Sequence, residues 1–284
     1  MLWIKNNFKY LIVIILLGAT VLVWYAVFAE SRSGLTVAFL DVGQGDAIFI
    51  QAENGNQILL DGGPNKATLN QLSKVMPFYD RSIDMVIASH PDSDHISGLI
   101  EVLKRYKVYS AMEPGTKSDN VVYQEFENLV KEKNIQDIFA GRDMRVNLDN
   151  GLYLDILLPV VDPENLDPHA GMLVIRLVYG KNSFLLTGDM EKSLEGYLVF
   201  LEGHNLKTDV LKVGHHGSRT STSEVLLGFS APEYAVISVG KDNQYGHPHK
   251  ETLDILNKFQ IPILRTDESG MIKIKSDGEQ IFIY

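Results

Sequence analysis

Cysteine is absent from this 284-residue chain. Disulfides and thiolate metal sites are therefore excluded, and any metal must be held by imidazole and carboxylate. An oxidising compartment is permitted, although the absence does not select one. Positive charge is also short: 26 Lys and Arg face 36 Asp and Glu, a formal net charge of −10. Nucleic-acid binders usually present a basic face, so broad, non-specific coating of DNA is disfavoured. A local groove is not, because a bound dimetal centre brings its own positive charge. Internal repeats and low-complexity tracts are missing too. With 45% hydrophobic and 22% charged residues the composition is that of a globular protein. The roughly 250 residues beyond the N-terminal segment suit one large domain.

One long hydrophobic run is present. Residues 11–29, LIVIILLGATVLVWYAVFA, are 19 consecutive uncharged, mostly apolar residues. At about 1.5 Å per residue they nearly span a hydrocarbon core of roughly 30 Å. Lys5 and Lys9 precede the run; Glu30 and Arg32 follow, and the next Lys or Arg is Lys66. The positive-inside rule then predicts a single-pass cell-membrane protein with residues 1–10 in the cytoplasm and the rest outside. The rival reading is a cleaved signal peptide ending at Val27-Phe28-Ala29, which also sends the large domain across the membrane. The expected division is 1–10 cytoplasmic, 11–29 transmembrane anchor, 30–34 linker and 35–284 globular domain.

The globular part is organised around Ser89-His90-Pro91-Asp92-Ser93-Asp94-His95. Asp84 to Ala88 before it reads as a buried strand, and Ile96 to Leu103 after it as a helix. The motif is thus expected in a strand-to-helix loop, where ligand sites belong. Strands come first as hairpins, then alternate with helices, then recur as hairpins. That order predicts an α/β (α+β) arrangement with helices covering a pair of sheets. Asp41-Val42-Gly43-Gln44-Gly45-Asp46 and Asp61-Gly62-Gly63 put acid and glycine at adjacent strand ends, which suggests backbone packed closely under a site.

Collected, the strand-end candidates are His90, Asp92, Asp94, His95, His169, Asp189 and His215: four imidazoles and three carboxylates. Seven ligands are too many for one tetrahedral ion and divide naturally between two. The mixture suits Zn, Mn or Fe, not Ca or Mg. Two ions about 3.5–4 Å apart lower the pKa of a shared water, so hydroxide exists near neutral pH. His216 competes with His215 as ligand and is otherwise expected behind it. Asp46 and Asp61 are expected to orient ligand histidines. His247 is expected beside the site, orienting substrate or passing a proton. Ser218, Thr220, Ser221 and Thr222 either bind a phosphate or cap the next helix. His204 and His249 read as surface residues.

The His-x-Asp-x-Asp-His motif after an apolar strand resembles the His-x-His-x-Asp-His signature of the metallo-β-lactamase fold superfamily, with Asp92 in place of the more common histidine. Leu185-Leu186-Thr187-Gly188-Asp189 resembles its bridging-aspartate motif, and His169 lies 20 residues earlier, about where the middle histidine stands. Residues 41–46, 90–95, 187–189, 211–218 and 245–248 together are similar to the hydrolase domain of ComEC-type DNA-uptake proteins.

The resemblance implies a four-layer αββα sandwich over residues 35–284, after the one transmembrane helix, with two divalent ions, Zn or Mn, in a cleft between the sheets. One ion would be held by His90, Asp92 and His169, the other by Asp94, His95 and His215, with Asp189 bridging. Asp94, whose loss would end turnover, and His247 are the expected catalytic residues. The implied activity is hydrolysis of a phosphodiester, DNA or similar, by a metal-bridging hydroxide. The alternatives are a metal-containing module that binds DNA or a phosphopolymer, a phosphocholine esterase and a lactam hydrolase. Redox chemistry at a di-iron centre would need a flavin partner that is not visible. The expected partners are the membrane and the phosphodiester; no nucleotide cofactor is expected. The multi-span channel of ComEC proteins has no counterpart in this sequence, so DNA transport does not follow; a separate permease is a possible further partner.

Overall fold

The computed structural model describes residues 2–31 and 34–284. Arg32 and Ser33 of the expected linker, and the side chain of Lys5, lie outside the described residues. The first helix, α1 (Leu2–Ser31), contains the stretch Phe8–Tyr25, long and apolar enough to cross a membrane and nowhere buried. Thr20, polar in this stretch, donates its hydroxyl back to the carbonyl of Leu16 at 2.8 Å, which satisfies it within the helix.

The chain then forms β1 (Leu35–Phe39), β2 (Ile48–Gln51), β3 (Gln57–Leu60), α2 (Ala67–Val75), β4 (Ser82–Ile87), α3 (Ser93–Arg105), β5 (Lys107–Glu113), α4 (Val121–Glu132) and β6 (Gln136–Phe139). It continues with β7 (Arg145–Asp149), β8 (Leu152–Leu158), β9 (Val174–Tyr179), β10 (Asn182–Leu186), α5 (Lys192–Glu202), β11 (Val210–Lys212), α6 (Glu224–Ser230), β12 (Tyr234–Ile237), α7 (Lys250–Lys258), β13 (Ile263–Arg265), α8 (Thr266–Ser269), β14 (Ile272–Ser276) and β15 (Ile281–Ile283). Two sheets result, ordered β15-β14-β1-β2-β3-β4-β5-β6 and β13-β12-β11-β10-β9-β8-β7. The last two strands return to the first sheet, where β14 pairs antiparallel with β1 and Leu35 faces Ser276.

Strand periodicity explains the layering. Leu35, Val37 and Phe39 of β1 point into the core between the sheets, while Ala38 and Leu40 point to the layer of α2, α3 and α4. In β10, Phe184 and Leu186 face the same central core, and Leu185 packs in the layer of α5, α6 and α7. Because both faces are covered, these strands are buried at every position and read as continuous apolar runs. The result is the αββα sandwich expected from the sequence.

Two local readings change. The sequence placed the whole 89–95 motif in a loop, but α3 begins at Ser93, so Asp94 and His95 sit on its first turn. There an acidic side chain is favoured by the helix dipole. Strand β7 was not expected: it is an edge strand whose polar sequence, RVNLD, carries no apolar run to betray it. Strand β1 fixes the domain's polarity. It leaves Gly34 and delivers the chain roughly 17 Å away, to the edge where Asp41 to Asp46 and the other candidate ligands collect.

Candidate metal centre

Ligand-competent side chains from both sheets meet at this edge. His90 and Asp92 follow β4, and His169 comes from the loop before β9. Asp92 Oδ2 lies 3.1 Å from His169 Nε2 and 3.6 Å from His90 Nε2. A second group joins Asp94, His95, Asp189 and His216. In it His95 Nε2 is 3.4 Å from Asp189 Oδ1, and His216 Nε2 is 3.3 Å from Asp94 Oδ2 and 3.5 Å from Asp189 Oδ2. The groups touch through the His90 and His95 rings, whose centroids are 4.1 Å apart.

The backbone that brings them together is tightly specified. Gly62 N donates to the carbonyl of His95 at 2.6 Å and Gly98 N to that of Gly63 at 2.9 Å. A Cβ on Gly98 would collide with the carbonyl of Gly62. Helix α3 therefore lies directly on the Asp61-Gly62-Gly63 turn, as the pairing of acid with glycine suggested.

Hydrogen bonds at the far side of each ring settle which nitrogen faces the site. Asp61 accepts from Ser89 N at 2.8 Å and Ser89 Oγ at 2.7 Å, and from His95 Nδ1 at 2.9 Å. Ser89 Oγ, having donated to Asp61, accepts from His90 Nδ1 at 2.9 Å. His216 Nδ1 donates to the carbonyl of Ser238 at 3.0 Å. In all three rings Nδ1 is the donor, so the neutral ring presents its lone pair at Nε2. Those Nε2 atoms are all buried without a hydrogen-bond partner, as is Asp189 Oδ1. Buried polar atoms are rarely left so, and an inward-facing set of imidazole and carboxylate donors fits divalent cations.

The electrostatics follow. The hydrogen bond from His169, with the His90 ring close by, holds the Asp92 carboxyl far below its ordinary range. Burial would raise Asp189, but the charges of His216, His95 and Lys212 override it and keep it well below 3.8. Burial likewise opposes ionisation of His216, yet Asp189 and Asp46 push it up to about 9. His169 rises to about 8, chiefly through its hydrogen bond with Asp92. Before a cation binds, these protonated rings neutralise the carboxylates; a cation would displace their protons.

At one position the arrangement brings in the residue that the sequence ranked second, while His215 groups with His169 and Glu191. The sequence favoured His215 over His216, but the buried group contains His216. His215 is at the rim, its side chain 26% exposed, with Nε2 3.7 Å from Asp189 Oδ2. The physical reason is local: both residues are left-handed, with φ of 48° and 53°. Two consecutive left-handed residues are rare outside glycine, and nothing in the letters HHG announces which ring turns inward.

His247 is in neither group. Its ring centroid is 5.7 Å from that of His215, and the Gln44 amide donates to its Nδ1 at 3.3 Å. Gly240 N, donating to Gln44 Oε1 at 3.2 Å, fixes that amide's orientation. Burial first, then the neighbouring imidazoles, push His247 down to about 4, so the ring is neutral at physiological pH. His249 is not an isolated surface residue: its ring centroid is 4.8 Å from that of His247, and its Nδ1 accepts from Arg219 N at 3.2 Å. Of the hydroxyls after His216, Ser223 caps α6 by accepting from Leu226 N at 3.2 Å, and Ser221 donates to the carbonyl of Gly214 at 2.6 Å.

Sequence reasoning missed Ser89, Ser238 and Lys212. Lys212 leaves one trace, a lone charge in the apolar run Val210-Leu211-Lys212-Val213, that residue type alone does not assign to the interior. It is fully buried and paired with Asp46, with Nζ 2.9 Å from the carbonyl of Gly188.

Comparison with known proteins places this geometry in a family. The profile of the metallo-β-lactamase superfamily matches residues 40–241. The chain is 32% identical over 267 residues to ComE operon protein 3 of Bacillus subtilis, covering 84% of this chain and 33% of that protein. It is 35% identical over 266 residues to Recombination protein 2 of Haemophilus influenzae, covering 92% and 31%. The chain thus spans about a third of the length of these relatives, which are competence proteins of the ComEC type. Among solved structures it is similar to Tm1679, described as a metal-dependent hydrolase of the β-lactamase superfamily, with a TM-score of 0.56 at 13% identity, covering 85% of this chain and 98% of that one.

Proposed function

Because the chain belongs to the metallo-β-lactamase superfamily, and is a hydrolase of that superfamily related to competence proteins, we propose that it is a membrane-anchored, extracytoplasmic phosphodiesterase with DNA or a similar polymer as substrate class. The observation that carries this reading is the double donor set. His90, Asp92 and His169 would hold one divalent ion; Asp94, His95 and His216 would hold the other, with Asp189 shared between them. Two ions held there would supply an activated water and charge stabilisation for an attacking and a leaving oxygen, which suits a phosphodiester. The carboxylate Asp92, where imidazole is more common, makes the first group harder and favours Mn over Zn.

The chain's own residues do the rest. Asp61, Ser89 and Ser238 hold three rings with Nε2 inward. His215 and His247 stand at the rim, where a bound diester would lie. With Gln44 donating to its Nδ1, neutral His247 carries its proton on Nε2 and is placed to donate a hydrogen bond to a leaving oxygen. If α1 spans the bilayer with residues 1–10 in the cytoplasm, β1 puts this rim at the end of the domain away from the membrane, open to an extracellular polymer.

The test uses the full chain in detergent micelles, loaded with Mn or Zn and offered bis-p-nitrophenyl phosphate, single- and double-stranded DNA, phosphocholine esters and a β-lactam. Metal-dependent release of p-nitrophenol and shortening of DNA are expected. Lactam turnover without diester cleavage would overturn the substrate class. Binding of DNA without turnover would favour a receptor.

A further inference from the structure

A buried ammonium needs a reason. Taking a lysine charge out of water costs several kcal/mol unless it is paired and hydrogen-bonded. Lys212, at the end of β11, is 0% exposed. Its Nζ is ion-paired with Asp46 Oδ2, donates to the Gly188 carbonyl at 2.9 Å and lies 3.8 Å from Asp189 Oδ1. Asp46 stands behind two of the candidate ligands, with Oδ1 3.4 Å from His216 Nδ1 and Oδ2 3.8 Å from His95 Nδ1. With Asp61 and His95 it forms a buried group that by composition alone would suit a cation. Of that group, Asp46 is already paired with the lysine ammonium. Lys212 thus reaches both edges of the second donor set: the rings from behind, through Asp46, and Asp189 through the turn that carries it. It has no contact of this kind with His90, Asp92 or His169.

We propose that Lys212 is a positioning residue that acts with Asp46 as one unit, fixing the His95, His216 and Asp189 donors and so setting the affinity of the second ion. The inference rests on the two-ion reading above. Its mechanism is geometric rather than a matter of net charge. Removing the ammonium alone would draw cations in more strongly, and removing Asp46 alone would repel them. Replacing both leaves the charge unchanged, so what remains is the loss of position.

The experiment titrates Mn and Zn into the full chain in detergent micelles, with metal content per chain, chelator-competition affinities and thermal midpoints as readouts. Wild type is expected to bind two ions. Lys212→Met is expected to lower the thermal midpoint, because buried Asp46 loses its direct ammonium partner. The double variant Asp46→Asn/Lys212→Met is expected to regain most of that stability and still bind the second ion at least tenfold more weakly, with the first unchanged. If methionine is not accommodated, Asp46→Asn/Lys212→Gln makes the same comparison. A double variant that binds both ions like wild type would show that the pair is structural filling and overturn the proposal, as would equal weakening of both ions. A wild-type chain that binds fewer than two ions would instead sink the two-ion reading itself.

Discussion

Asp61 reaches both halves of the metal centre at once. Its Oδ2 lies 2.9 Å from Nδ1 of His95, in the second donor set, and 2.7 Å from Oγ of Ser89, which in turn holds His90 of the first. One carboxylate therefore sets the tautomer of two rings that belong to different donor sets. It does so from a left-handed residue, φ 58°, that bridges the end of β3 to the Gly62-Gly63 turn.

Asp61→Asn tests that relationship without disturbing the backbone, since asparagine tolerates the left-handed conformation. The amide cannot accept from His95 and Ser89 in the same pattern. Affinity for both ions is expected to fall by about 10–100-fold, with the thermal midpoint of the metal-free protein nearly unchanged. Loss confined to one ion would mean that Asp61 serves one ring only.

Asp189→Asn is expected to abolish metal-dependent diester cleavage and reduce bound metal below two per chain. Chelator treatment of the wild type should lower its thermal midpoint, because ions that bind only the folded state stabilise it. A variant that retains wild-type turnover would remove the two-ion mechanism.

Much of the centre was legible from residue type and spacing. His90, Asp92, Asp94, His95, His169 and Asp189 all converge, because strand ends of a layered α/β protein share an edge and buried polar groups cannot be left elsewhere. The glycines of the Asp61 turn were legible for the same reason: only a side chain of one hydrogen admits Gly62 and Gly98 to contact. What the sequence did not carry was backbone conformation at single residues. The paired left-handed turns at His215 and His216 decide which imidazole is buried, and both orders spell the same letters. Nor did residue type disclose Lys212, because a charge inside an apolar strand reads equally well as an edge position until its carboxylate partner, 166 positions earlier at Asp46, is known to lie against it.

The His215 and His216 alternatives separate cleanly in a pair of variants. His216→Ala is expected to lose the second ion. His215→Ala is expected to keep both and hold substrate more weakly, read as a raised KM. The reverse pattern in metal content would restore His215 as the ligand.

Gly98→Ala probes the contact between α3 and the Asp61 turn. The added methyl meets the Gly62 carbonyl and the Thr68 hydroxyl, both of them fixed, since Thr68 Oγ1 itself donates to Gly62 O. Overpacking of this kind costs about 1–3 kcal/mol, and backbone on both sides puts the expected loss at the upper end. At about 2–4 °C per kcal/mol for a domain of this size, a drop of roughly 6–12 °C in the thermal midpoint should accompany weaker metal binding. An unchanged midpoint would show that the turn can yield.

Away from the centre, Glu113 gives the fold a pH dependence of its own. It is 1% exposed at the end of β5, and burial raises its carboxyl from 4.5 to about 7, against the opposing hydrogen bond from Tyr123. The folded state holds this proton more tightly than the unfolded chain. Its contribution to stability is therefore complete below pH 4.5 and lost as pH rises towards 7, a difference of about 3 kcal/mol. Glu113→Gln keeps an acceptor for Tyr123 and removes the ionisation. The variant should match wild type near pH 4.5 and exceed it in thermal midpoint at pH 8. Comparing wild type with variant at each pH cancels the proton release of the metal centre, which both share. A gap that stays constant between pH 5 and pH 8 would mean that Glu113 ionises in the fold as easily as in water, and that Tyr123 and the packing around β5 do not exclude solvent from it.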